Sequence, residues 1–231
     1  MLDTLGDFLN PYRDVIGAIA GAVTTLHSVS KAVFLNDIRK RGTADGFSAF
    51  PFLGGIVMAT LNLELSFILG DAALIRTNII GLVINIVCLL IFYIYTSKQK
   101  RPQIRKQFTI AATIASACVI YVIFENPEKI QTRLGYLLTV FFVLLLGLPL
   151  LRIRSIIRKK SSENLPFPMI VAGMAIGIMW LTYGISIKKR VLIYQNGLLV
   201  SLLSPQLVVC LIYPRTSTKA ETTENKTVKR E

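Results

Sequence analysis

Seven apolar stretches in succession constrain this chain of 231 residues more than any other feature. They run over 15–36, 48–69, 74–95, 108–124, 134–153, 166–185 and 191–213. A run of about 18 or more such residues crosses the ~30 Å hydrocarbon core of a bilayer as a helix. A helix suits that setting because it satisfies every backbone N–H and C=O within the segment. The fourth stretch is the shortest; the seventh carries Pro205 yet stays apolar throughout. Hydrophobic residues make up 53% of the chain and the mean hydropathy is +0.58, too apolar for a soluble domain of this length. The expected fold is an all-α membrane protein with seven transmembrane helices.

The net charge of +13 would suggest nucleic acid in a soluble protein. Here the Lys and Arg residues lie between apolar runs, so the expected surroundings are a lipid bilayer and no nucleic acid. Cys88, Cys118 and Cys210 all fall inside apolar stretches, where thiols behave as small hydrophobes. His27 is the only histidine and has no cluster of partners. Neither an enzyme nor a metal or other cofactor is expected. Asp3 and Asp7 stand where a signal peptide would carry basic residues, so the first run is expected to be a true span.

Orientation follows from the Lys and Arg residues of the connections. The connections at 39–41, 98–106 and 152–160 and the tail at 215–230 hold eighteen of them, and the opposite side holds seven. The first side is expected to be cytosolic, leaving the N-terminus extracellular or lumenal. Lys188, Lys189 and Arg190 are the exception on the outer side. The polar tail 214–231 is expected to be disordered and cytosolic. Its sequon Asn225-Lys226-Thr227 would then stay unmodified.

A shift of 118 residues superposes runs 1–3 on runs 5–7. It lays Arg41-Gly42-Thr43-Ala44-Asp45 on Lys159-Lys160-Ser161-Ser162-Glu163, Asn78 on Asn196, and Tyr95 on Tyr213. Run 4 is left unpaired. Three spans invert the orientation of the next copy, and one more span restores it. The reading is two parallel three-helix repeats joined by an inversion linker helix, 3+1+3, about an axis along the membrane normal. The expected units are 1–95, 96–133 for the linker, 134–213, and the tail. Two equal bundles rocking about a midplane site would expose that site to each side in turn.

Polar side chains within spans usually face the protein interior or a cavity. Asn78 and Asn196 occupy one repeat position, and an amide suits a neutral hydroxylated ligand. Interhelical hydrogen bonding is the plainer reading for a lone asparagine; for the pair, a ligand site is favoured. Trp180 lies inside run 6 rather than at its end, which weakens the role of interfacial anchor. Its indole could stack on a sugar ring, and its repeat counterpart is Asn62. Pro51, Pro149 and Pro166 can bend or start helices, and are also candidate hinges. Lys31 stands at the repeat position of Pro149 and is expected to snorkel to the cytosolic interface. Glu64 is expected at a solvated end of run 2. With no second acid deep in a span, facilitated diffusion is favoured over proton coupling.

These residues together resemble the SWEET sugar transporters. The resemblance rests on the 3+1+3 layout, Pro51-Phe52 opening run 2, Trp180-Leu181-Thr182-Tyr183-Gly184 closing run 6, the paired asparagines, and Gln206 ten residues after Asn196. It implies bidirectional uniport of mono- or disaccharides in the plasma membrane or the Golgi and other endomembranes, and assembly as a homo-oligomer. It also implies substrate contacts from Asn78, Asn196, Trp180 and Asn62, and hinges at Pro51, Pro149 and Pro166. The chain departs from the family at Lys31 in place of the fourth hinge proline. It departs again at Asn62-Leu63-Glu64-Leu65-Ser66, which lacks the aromatic-Tyr-Gly ending, and at Cys88 in the glutamine position. In these features it is closer to animal than to plant members. A PQ-loop-type exporter of amino acids shares the layout, but Pro149 is followed by Leu150 and the only Pro-Gln is Pro205-Gln206. A seven-helix receptor fits poorly with such short connections and the repeat. A non-transporting membrane scaffold stays open.

Overall fold

The computed structural model describes residues 2–147, 153–159 and 167–213. Pro149, Pro166 and the tail 214–231 lie outside the described residues, so the structure does not bear on the roles expected of them. All regular structure among the described residues is helical: α1 (Leu2–Leu9), a 3₁₀ turn (Asn10–Tyr12), α2 (Arg13–Arg41), α3 (Phe50–Leu69), α4 (Ala72–Ile94), α5 (Arg101–Phe124), α6 (Pro127–Gly147), α7 (Ile153–Lys159), α8 (Phe167–Ser186) and α9 (Arg190–Ile212). By length and composition, the α1–α2 stretch, α3, α4, α5, α8 and α9 can each cross a membrane. The described part of α6 opens with Glu128, Lys129 and Arg133 and covers the fifth apolar stretch only as far as Gly147. Helices α2, α5 and α6 extend past the apolar stretches that announce them through polar turns, whereas α3, α4, α8 and α9 match theirs to within two residues. Thus α2 runs on through Arg39, Lys40 and Arg41, whose charges suit a helix C-terminus, to a left-handed Gly42.

The surface is apolar along the helix sides. Val33, Val83, Leu90, Ile94, Ile120 and Ile123 are all exposed, as hydrocarbon solvation allows. The core lies between helices. Its largest cluster packs Phe52, Leu61 and Leu65 of α3 with Phe92 of α4 and Leu134 and Leu138 of α6.

The packing pattern has the symmetry that the repeat requires. Helix α2 packs on α4, and α6 packs on α9; α3 packs on α4, and α8 on α9. Between the halves α2 packs on α8, and its counterpart contact joins α6 to α3. Exchanging α2, α3, α4 for α6, α8, α9 therefore returns the same set of contacts. Two helices lie outside this exchange among the described residues: the linker α5, which packs on α3, and α1, which packs on α8.

Single atoms keep the same 118-residue register. An added Cβ at Gly17 would lie 3.3 Å from the Ala73 side chain, and one at Gly135 would lie 2.8 Å from Val191. A side chain at Gly55 would collide with Asn85, and one at Gly173 would meet Leu203. The turns repeat as well. Gly70 N donates to Phe67 O and Lys188 N to Ile185 O, both at 3.1 Å, while Asp71 N and Lys189 N reach back to Ser66 O and Gly184 O. Both turns need a left-handed residue, which is Gly70 (φ 65°) in the first half and Lys188 (φ 54°) in the second. The non-glycine residue also ion-pairs through its side chain with Asp7 of α1.

Candidate functional site

The four polar candidates lie at one depth. Asn78 and Asn196 each stand six residues into α4 and α9 from Ala72 and Arg190, and Trp180 stands six before the end of α8 at Ser186. At 1.5 Å per residue each is about 9 Å from the same end of the bundle. Asn62, seven residues before the end of α3 at Leu69, is about 10 Å in.

Local bonds set each side chain. Asn62 Nδ2 donates to Met58 O at 2.8 Å, and Asn196 Nδ2 to Leu192 O at 2.9 Å. Asn78 Nδ2 donates to Leu74 O at 2.9 Å and to Ser66 Oγ at 3.1 Å. Ser66 in turn donates to the Asn62 carbonyl, so one hydrogen-bonded chain links Asn78 to Asn62 across α3 and α4. Trp180 crosses between the halves: its Nε1 donates to Thr24 Oγ1 of α2 at 2.9 Å, and Thr24 donates onward to Ala20 O. Trp180 and Asn196 are buried, whereas Asn62 and Asn78 are half-buried.

One turn nearer the same end, a second bond crosses between the halves. Tyr183 of α8 donates from its hydroxyl to Asp71 Oδ2 at 2.7 Å. The other Asp71 oxygen accepts from Leu74 N and caps α4. The Tyr183 ring stands edge-on to Trp180, with centroids 5.5 Å apart, and fills the space left by Gly17 of α2. Ala20, Leu74 and Leu192 complete an apolar cluster around these two rings. The bundle is thus closed at this end by aromatic packing and two polar bonds.

Pro51 occupies the first turn of α3 and is exposed. The N–H that it lacks there has no intrahelical partner in any helix, so Pro51 starts α3 without kinking it. Lys31 departs from expectation. It does not extend to the interface; its Nζ donates to Asn85 Oδ1 of α4 at 2.6 Å. The buried amide oxygen is within reach across the α2–α4 packing, and Asn85 is itself fixed by donating to Gly81 O. Glu64 is half-buried on α3. An apolar cleft of about 250 Å³ between α3, α5 and α6 is lined by Leu53, Val57, Ile110, Ile114 and Phe141; Gln107 is its one polar side chain, which ill suits a polar ligand.

Ser66, Thr24, Asp71 and Asn85 were not singled out by sequence reasoning. For Ser66 and Thr24 the available signal was weak, because such hydroxyls commonly bond the carbonyl four residues back and leave no pattern. For Asn85 the signal was its spacing of seven residues from Asn78, which puts both on one face of α4.

Two like-oriented three-helix bundles, a linker helix outside their symmetry, and polar side chains at matched depth define a membrane transporter of the parallel-repeat type. The family model described as "Sugar efflux transporter for intercellular exchange" matches residues 14–100 and again 132–218. Both ends of the second match are displaced by 118 residues from those of the first. The chain belongs to this family, the SWEET (MtN3/saliva) transporters. It is 28% identical to the sugar transporter SWEET1 of Drosophila pseudoobscura pseudoobscura over 77% of this chain and 78% of that protein. It is 27% identical to the bidirectional sugar transporter SWEET10 of Arabidopsis thaliana over 79% of this chain and 64% of that protein. Its fold matches a eukaryotic SWEET transporter structure with a TM-score of 0.73 at 20% identity, covering 87% of this chain and 98% of the other.

Proposed function

We propose that the chain is a bidirectional facilitative uniporter that moves mono- or disaccharides down their gradient by alternating access. The observation that carries this reading is the pair Asn78 and Asn196, at one repeat position and one depth, in a chain whose two halves both match a sugar-transporter family. Asn62 and Trp180, at the other shared repeat position, complete the proposed substrate site. The amides would bind sugar hydroxyls and the indole would stack on the C–H face of the ring.

The moving units are residues 1–95 and 134–213, with 96–133 as the linker. Pro51, Pro149 and Pro166 serve as pivots, and Pro51 acts at the start of α3 rather than through a mid-helix bend. The basic connections face the cytosol, so the Tyr183–Asp71 closure faces outside or the lumen, in the plasma membrane or an endomembrane. Assembly as a homo-oligomer accompanies this reading through the family.

Radiolabelled sugar uptake and efflux in cells expressing the chain test it. Transport in both directions is expected, unchanged when the pH gradient is collapsed and lost in Asn196→Ala. Equal activity of wild type and Asn196→Ala would sink the assigned site. Amino-acid export without sugar transport would favour the PQ-loop reading, and absence of any transport would favour a scaffold.

A further inference from the structure

The two halves do not orient their asparagines alike. Both hydrogens of the Asn78 amide are engaged, one by Leu74 O and one by Ser66 Oγ. The Leu74 carbonyl can only accept, which fixes the amide nitrogen on that side. Ser66 commits its own proton to the Asn62 carbonyl, so its oxygen is left to accept from Asn78. The Asn78 group left for a ligand is therefore its oxygen Oδ1. Ser66 itself is buried, 1% exposed, and is out of a ligand's reach.

Asn196 repeats only half of this arrangement. Its Nδ2 donates to Leu192 O, the counterpart of Leu74. The counterpart of Ser66 is Gly184, which has no hydroxyl to offer. The packing also forbids one. A Cβ on Gly184 would lie 2.9 Å from Leu192 Cβ, 3.2 Å from Ile193 N and 3.3 Å from the Leu192 carbonyl carbon. Helices α8 and α9 approach too closely there for any side chain, so the difference between the halves is built into the backbone.

We propose that Ser66 is a positioning residue that makes Asn78 an acceptor-only contact, while Asn196 both donates and accepts, so that the sugar is gripped asymmetrically. This rests on the sugar-uniport reading and deepens it. A substrate hydroxyl must donate to Asn78. Replacing that hydroxyl with fluorine, which cannot donate, leaves the Asn78 oxygen unpaired and weakens binding on the order of tenfold.

The test is competition by a set of monodeoxyfluoro hexoses against labelled hexose uptake, in wild type, Ser66→Ala and Ser66→Thr. In wild type, fluorine at one ring position should weaken competition on the order of tenfold. In Ser66→Ala the Asn78 amide keeps one bond, to Leu74 O, as Asn196 keeps one to Leu192 O; pivoting about that bond, its second N–H can meet the fluorine, and the penalty at that position should fall to about twofold. Ser66→Thr, which keeps the hydroxyl, should restore it. The same penalty in wild type and Ser66→Ala overturns the proposal. A second measurement does not depend on transport: thermal unfolding of the full-length protein as Ser66→Ala, Asn78→Leu and the pair. The double variant should be no less stable than Asn78→Leu alone; additive losses overturn the coupling. Coupling without any hexose transport would instead overturn the sugar assignment that this role serves.

Discussion

Lys31 and Asn85 form a polar pair that the other half of the molecule lacks. Their repeat counterparts are Pro149 and Leu203, so the fold needs neither charge nor amide at this position. A cation within a span is costly, and its neutral partner offsets that cost only while the 2.6 Å bond is made. Asn85→Leu leaves the ammonium unpaired and should destabilise by about 2 kcal/mol or more. Lys31→Met leaves the buried Asn85 oxygen unpaired and should cost about 1–3 kcal/mol. The double variant, which copies the apolar character of the other half, should be more stable than either single one. Thermal unfolding of the four proteins in one detergent measures this, and additive losses would contradict it. The residue scale is also where the sequence was least legible. Asn62, Asn78, Trp180 and Asn196 stand out because each is unusual within an apolar run. Ser66 and Thr24, which orient two of them, do not, because a hydroxyl in a helix has a local partner wherever it falls. Lys31 was visible as an anomaly, but its partner was not: a contact 54 residues away depends on how α2 packs against α4.

At the scale of elements, hydropathy located the long helices, with the ends of α3, α4, α8 and α9 to within two residues, but it missed the short α1 and α7 and the polar extensions of α2, α5 and α6. Helix α5 begins at Arg101 rather than at the start of its apolar run, because Pro102 can occupy a first turn, Arg101 donates back to the carbonyls of Thr96 and Ile94, and Arg105 and Lys106 are exposed. Connections were legible only as short. The link between α5 and α6 shows what that leaves out. Glu125 accepts from Tyr121 at 2.6 Å, from the backbone N–H of Asn126 at 2.9 Å, and from Arg133. The Tyr121 hydroxyl foremost, then Asn126 and Arg133, hold the Glu125 carboxyl at about 2, below its ordinary value of 4.5. The lowered value means that ionised Glu125 favours the folded state. That contribution is complete above about pH 4.5 and is lost as pH falls toward 2. The stability difference between wild type and Glu125→Gln should therefore stay constant from neutral pH to about pH 5 and shrink below it. A difference that already declines between pH 7 and 5 would show that the clamp is not formed. Mildly acidic surroundings should leave this link intact.

For the whole molecule, the 118-residue shift was the most informative reading, because it converts seven similar helices into one symmetric arrangement. It could not reveal which end of that arrangement is shut. At one end α8 is bonded to the first half twice, through Trp180–Thr24 and Tyr183–Asp71, around the apolar cluster of Ala20, Leu74 and Leu192. The proposed rocking motion must break both bonds to open this end. Asp71 also caps α4, so replacing it would confuse closure with helix stability. Tyr183→Phe is cleaner: it keeps the ring against Gly17 and Trp180 and removes only the hydroxyl. A hydrogen bond to a charged group is worth about 1.5–3 kcal/mol, so its loss should raise the open population at this end on the order of tenfold or more. Ala73 lies in the α2–α4 seam beside this closure. A cysteine placed there, with Cys88, Cys118 and Cys210 changed to serine, reports opening through its rate of labelling by a membrane-impermeant maleimide. Tyr183→Phe should raise that rate on the order of tenfold when the reagent is applied from the side of the α3–α4 connection, and should leave labelling from the opposite side no faster. An unchanged rate would mean that the apolar cluster alone holds this end shut. The polar bond would then serve to seat the Tyr183 ring, and movement of α8 would be limited by repacking against α2.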